Sequence, residues 1–180
     1  NRHYKINPKI FSLWMKILNK INGSVLWMLE DNIKTSENLK KEAVKNGINE
    51  KRIIFAKRIP IEEHLSRHKA ADLFIDTYPY GAHTTCSDAL WTGLPVVTLA
   101  GDSFASRVAG SILSAINMKE LITYSEKEYL DLIIDLATNS EKLNKLKIKL
   151  SKNKNSEPLF NTKLYTKNIE SSYSKVYENY

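Results

Sequence analysis

From Asp76 to Asp88 the chain reads DTYPYGAHTTCSD, its densest set of residues able to do chemistry. The run from Leu73 to Thr77 predicts a strand ending at Asp76 and Thr77, followed by a loop carrying Pro79 and Gly81. A helix is predicted to begin near His83, Thr84 and Thr85. The first turn of a helix leaves backbone N–H groups without intrahelical partners, and the helix dipole adds partial positive charge, so such a turn is an anion site. The Thr84 and Thr85 hydroxyls can cap that helix or donate to a phosphate. Asp88 lies one turn deeper, where a carboxylate accepts hydrogen bonds from a hydroxylated group such as a ribose. On spacing alone, the same residues also fit a plain helix with Thr84 as its cap and His83 in solvent. Cys86 has no neighbour that marks it as a nucleophile and reads as a small buried hydrophobe. Asp102, Ser103 and Arg107 are expected to shape the next loop and helix, without a chemical role.

The flanking sequence supplies elements to position these residues. Residues 8–21 predict an amphipathic helix, with Pro8 at its first position and Ile10, Leu13, Trp14, Ile17, Leu18 and Ile21 on one stripe. Asn22 and Gly23 end it. The apolar run at residues 24–29 reads as a strand buried on both faces. A polar helix over 35–46, a strand over 52–56, a helix from Pro60 to Ala71 and the strand over 73–77 follow. Glu62 and Glu63 fall in the first turn of the third of these helices, where the dipole favours acids. Beyond Trp91, Gly93-Leu94-Pro95 stops the helix, Val96 to Leu99 is a strand, 103–116 a helix and 121–123 a short strand. Helices over 126–137, 140–153 and about 162–180 close the chain. Tyr165, Tyr173, Tyr177 and Tyr180 recur along the last one and read as a packing face. Strands alternating with helices of this length imply βαβ units: a Rossmann-like α/β fold with a mainly parallel sheet, binding ligands at its C-terminal strand edge.

The 180 residues suffice for one core and are too few for two large domains. No apolar run reaches the roughly 18 residues that span a bilayer, and the opening residues contain no signal-peptide core. The chain begins at Asn1 without a Met, which reads as a cut inside a longer protein. Cys86 is the only cysteine, so no disulfide framework can form within the chain, and a reducing compartment fits. The net charge of +7 suits an anionic partner. Much of that excess lies in Lys142, Lys145, Lys147, Lys149, Lys152 and Lys154, which read as a solvated helix surface. Aromatics do not interleave with the basic residues as nucleic-acid stacking would need.

The stretch from Asp76 to Ser111 resembles the donor-site signature of the O-linked N-acetylglucosamine transferases, including SPINDLY-like proteins and bacterial relatives. Tyr4 to Pro8, Asn22 to Leu29, Arg52 to Phe55, Glu62-Glu63-His64 and Pro158 to Lys163 extend the likeness over nearly the whole chain, in order. The resemblance implies the C-terminal lobe of a two-lobe GT-B glycosyltransferase, metal-independent and inverting. Such enzymes move N-acetylglucosamine from UDP-GlcNAc to Ser or Thr of cytoplasmic proteins, with no cofactor. It further implies a single nucleotide-sugar-binding lobe over 1–180 whose last helix packs back onto a preceding N-terminal lobe. That lobe, with helical repeats before it, would meet the acceptor protein. Nucleic acid and membrane are not expected partners. Carried onto this sequence, Lys5 contacts the diphosphate and stabilises the leaving group. His83, Thr84 and Thr85 hold the phosphates, and Asp88 binds the ribose. His64 and Arg67 lie by the uracil, with the Ile59 backbone reading its edge. Two positions depart from the pattern: Ile61 stands where family members carry a Lys near the nucleoside, and Arg2 replaces an amide residue that helps hold the diphosphate, a place where Arg2 is itself expected to bind phosphate. No Asp-X-Asp triad occurs, in keeping with the metal-free route. Related lobes use GDP-fucose, or transfer glucose to Asn, and a non-catalytic anion-binding module is the alternative from a different class.

Overall fold

The structure, a computed structural model, describes residues 2–180. Its strands run parallel in two hydrogen-bonded groups. β1 (Leu26–Leu29) pairs with β2 (Ile53–Ala56). β3 (Phe74–Ile75), β4 (Val96–Leu99) and β5 (Ile122–Thr123) form the second group in that order. The chain steps outward from β1 to β2 and then returns to begin the second group at β3. A cleft of about 700 Å³ lies between the groups, lined by Trp27 and Met28 from one and Phe74 and Ile75 from the other. In open α/β sheets a reversal of this kind, seen from the carboxyl ends of the strands, is where ligands bind.

β4 is the centre of the second group and is buried along its whole length, Val96 to Leu99. Helices α4 (Thr84–Trp91), α5 (Phe104–Ala115) and α6 (Glu126–Thr138) cover it. Helix α1 (Pro8–Lys20) packs on α6 and buries Ile10, Leu13, Trp14, Ile17 and Leu18, as its periodicity predicts. Phe11 and Met15 are buried too, so α1 is covered on more than one stripe. Helices α2 (Ile33–Lys45) and α3 (Ile61–Arg67) flank β2 in sequence, and α7 (Ser140–Ser156) packs on α6. Gly93, at φ +87°, ends α4 in a conformation that a side chain would strain.

Two expectations change. The strand at 24–29 is shorter and is buried on one face only: Leu26 is buried, while Val25 and Trp27 are half exposed, because β1 has the cleft beside it. The helix from Pro60 ends at Arg67 and tightens into a 3-10 turn at His68–Ala70. The final helix, α8 (Thr162–Glu178), buries no residue, and its Tyr165, Tyr173 and Tyr177 stay exposed, so the aromatic face finds no cover among the described residues. The lysines of α7 meet acids at the surface: Lys145 with Glu141 at 2.6 Å, Lys149 with Glu120 at 2.5 Å and Lys142 with Asp135. Exposed pairs of this kind contribute little to stability.

Candidate nucleotide-binding site

The loop from β3 to α4 is held from below. Asp76 is fully buried just past the end of β3. Its Oδ1 accepts from the amides of Thr77 (2.7 Å) and Ala82 (2.8 Å), and its Oδ2 accepts from the Thr98 hydroxyl (2.8 Å) on β4. The Asp76 carbonyl accepts from the Tyr129 hydroxyl at 2.8 Å, and that hydroxyl accepts from Trp14 Nε1 at 3.1 Å. Buried hydrogen bonds to a charged group contribute about 1.5–3 kcal/mol each, so this wiring fixes the loop's base firmly. Above it the Tyr78–Pro79 peptide is cis, the Thr77 hydroxyl donates to the Tyr80 carbonyl (2.7 Å), and the Gly81 amide donates to the Ala105 carbonyl (3.1 Å).

The N-terminal segment closes over the same loop. Asn7 caps α1, accepting from the Ile10 amide at 2.9 Å, while its Nδ2 donates to the Tyr78 carbonyl at 2.7 Å. This cap places the 3-10 turn His3–Lys5 against the loop. Lys5 Nζ donates to the Gly81 carbonyl at 2.8 Å and stands 3.9 Å from the centroid of the Tyr80 ring. Burial lowers the Lys5 pKa below its ordinary 10.5, and the nearby negative charge of Asp76 opposes that shift.

At the start of α4, His83 occupies the N-cap position and its side chain makes no capping bond. The ring sits between Tyr80 and Phe104, with centroids at 5.3 and 6.2 Å, and its Nε2 is buried without a partner among the described residues. The amides of Cys86 and Ser87 turn back to the His83 carbonyl, whereas the Thr84 amide takes no partner from the described residues. The plain helix capped by Thr84, with His83 in solvent, is therefore not what forms. Cys86 is fully buried and burial pushes its thiol pKa up, as expected of an inert side chain.

A second cluster lies on α3. Arg67 donates through Nε (3.1 Å) and Nη2 (2.7 Å) to His64 Nδ1, and through Nη1 to the Lys57 carbonyl (2.8 Å). Its guanidinium lies 5.9 Å from the Trp27 ring centroid. Arg67 thus serves this cluster and makes no ion pair with Glu63 among the described residues. Because Nδ1 accepts, the His64 proton sits on Nε2, leaving that nitrogen as a donor. Burial lowers the His64 pKa, with the neighbouring His68 and Arg67 adding to the shift and Asp88 opposing it. The rings of His64 and His68 meet edge-on at 4.8 Å, and the His68 pKa is likewise lowered by burial.

The predicted residues thus gather in two groups. Lys5, His83 and Thr84 surround the loop. Thr85, His64 and Arg67 line the cleft, and Asp88 lies close enough to His64 and His68 to act on their protons. Ile59 is exposed just before α3, and its backbone takes no partner from the described residues. Arg2 is exposed, and among the described residues only its carbonyl, which accepts from the Lys5 amide at 3.1 Å, joins it to the site. The part that Asn7, Asp76, Thr98, Tyr129 and Trp14 play in holding the loop escaped the sequence reading. An Asn ahead of Pro8 is a readable cap signal, but nothing in the sequence tells where its other amide end reaches.

A two-group parallel α/β lobe with an uncapped helix end, a lysine over it and a neutral histidine beside its cleft defines a Rossmann-like lobe suited to a phosphorylated ligand. The chain belongs to Glycosyl transferase family 41, whose sequence profile matches residues 1–169. It is 35% identical over 180 residues to the UDP-N-acetylglucosamine–peptide N-acetylglucosaminyltransferase of Caenorhabditis elegans, covering 100% of this chain and 16% of that protein. It is also 35% identical over 178 residues to the probable transferase SEC of Arabidopsis thaliana, covering 98% of this chain and 18% of that one. The solved structure of the Thermobaculum terrenum O-GlcNAc transferase mutant K341M superposes with a TM-score of 0.95 at 28% identity, over 99% of this chain and 35% of that one. The chain therefore spans less than a fifth of these curated relatives.

Proposed function

We propose that this chain is the donor-binding lobe of a glycosyltransferase that moves N-acetylglucosamine from UDP-GlcNAc to Ser or Thr hydroxyls of proteins. The carrying observation is the Lys5 ammonium bonded to Gly81 beside the uncapped start of α4. As the sugar departs, the diphosphate oxygen gains negative charge. Lys5 and the Thr84 amide at the start of α4 are fixed before the reaction, so they stabilise that charge without reorganising. This chemistry asks for no metal and no cofactor. His64, Arg67 and the Ile59 backbone take the nucleoside, and Asp88 the ribose. The family likeness and the short share of its relatives' length support an acceptor-facing lobe outside this chain, against which the exposed tyrosines of α8 pack. A cytoplasmic location goes with protein acceptors of this kind. Ile61 is 55% exposed where a Lys would reach the nucleoside, so the base side is the weaker support for uridine.

Calorimetric titration of the chain with UDP, GDP and ADP, with and without magnesium, tests the reading. UDP binding first among the three, unaffected by magnesium, is the expected result. A preference for GDP or ADP, or an absolute metal requirement, overturns the donor assignment. In the full-length protein, Lys5→Ala is expected to abolish sugar transfer to protein.

A further inference from the structure

We propose that Asp76 is a positioning residue for the diphosphate, setting the places of the Ala82 amide and the Gly81 carbonyl and, through them, of Lys5 and the start of α4. The inference rests on the donor-lobe reading and deepens it. The residue is fully buried, and its carboxylate ties together both ends of the Thr77–Ala82 loop and strand β4: two amides on Oδ1 and the Thr98 hydroxyl on Oδ2. The fit is close. A Cβ on Gly81 would stand 3.0 Å from Asp76 Oδ2, so the loop is drawn down onto the carboxylate at the residue whose carbonyl holds Lys5. A carboxylate offers acceptors on both of its oxygens at once, which these three donors require. A negative charge beneath an anion site opposes the ligand electrostatically. What it supplies in return is geometry: a loop and a lysine already in place before the phosphates arrive.

Calorimetry with UDP and with uridine separates positioning from general structural support, since only UDP carries the phosphates. Asp76→Ala is expected to weaken UDP about 30-fold, the scale of leaving buried donors unpaired. Because that variant risks unfolding, Thr98→Val is the gentler test. It is expected to stay folded by circular dichroism and to weaken UDP about fivefold, the scale of one hydrogen bond, with uridine unchanged. Thr98→Ser restores the hydroxyl and is expected to bind UDP as the parent does. Equal weakening of UDP and uridine, or unchanged UDP binding by a folded Thr98→Val, overturns the positioning role. If the parent itself fails to bind UDP, the donor-lobe reading falls, and hydrogen exchange then judges the loop alone. Faster exchange of the Ala82 amide in Thr98→Val than in the parent supports Asp76 as its anchor, and equal exchange refutes it.

Discussion

Helices α3 and α4 both contribute to the cleft, yet they are anchored in different ways. α4 buries Cys86, Ala89 and Leu90 completely, and the loop ahead of it hangs from Asp76, Thr98, Tyr129 and Trp14. α3 buries no residue, has Pro60 at its N-cap, and is tied back by Arg67 to the Lys57 carbonyl, while the Arg67 bond to His64 stays within the helix. One flank is preorganised by the core, the other by contacts near the surface. On the proposed reading the α4 flank meets the diphosphate, which UDP-, GDP- and ADP-sugars share, and so gains from rigidity. On the same reading the α3 flank meets the base, which differs between nucleotides, and can be altered with little cost to the core. The exposed Ile61, the first residue of α3, lies on that second flank.

The sharpest way to break this contrast is on the rigid flank. Lys5→Ala is expected to weaken UDP by about 2 kcal/mol, about 30-fold, since a charge-assisted hydrogen bond to phosphate is lost. Uridine should bind as before; a matching loss for uridine would mean the flanks are not separable. The lowered Lys5 pKa adds a pH signature. UDP affinity should stay level through neutral pH and fall as pH rises through a value below the ordinary 10.5, and Lys5→Arg should remove that alkaline fall. Next in size, Tyr129→Phe removes one oxygen and with it the hydrogen bond to the Asp76 carbonyl and the acceptor of the Trp14 N–H in the core. Urea unfolding should report a loss of about 1–2 kcal/mol. Arg67→Ala, which unpins only α3, should cost less than that in the same measurement.

The contrast also explains what could be read in advance. Core elements announce themselves by period: the α1 stripe and the apolar run of β4 fold as read. The chemistry-bearing residues of the β3–α4 loop were equally visible, because Gly, Pro and paired Thr mark a loop entering a helix. The residues beneath that loop were not. Tyr129 meets Asp76 across 53 positions and Trp14 meets Tyr129 across 115, and no local pattern encodes a hydrogen bond between distant segments. Strand β1 was misread for a similar reason: its apolar composition did not tell that its neighbour would be a cleft. The α8 tyrosines were read as a packing face, and within this chain that face lies open.

The smallest expected effect concerns protons on the soft flank. His64 is neutral at pH 7, with Nδ1 turned to Arg67, and its pKa lies below the ordinary 6.5. The unfolded chain takes up this proton more readily than the folded one, so acidification favours unfolding. The contribution is intact above 6.5 and declines as pH falls from there toward the lowered value. Uridine affinity should follow the folded group, holding to a lower pH and then dropping as Nδ1 protonates and repels Arg67. Removing Arg67 takes away one of the neighbouring cations that disfavour the proton, so in Arg67→Ala the acid drop should move toward higher pH. Titrating the His64 ring by NMR in parent and variant measures that displacement directly. A His64 titration that ignores Arg67 would place the cause in burial and His68, and the α3 flank would then owe its protonation state to packing and not to its own surface contacts.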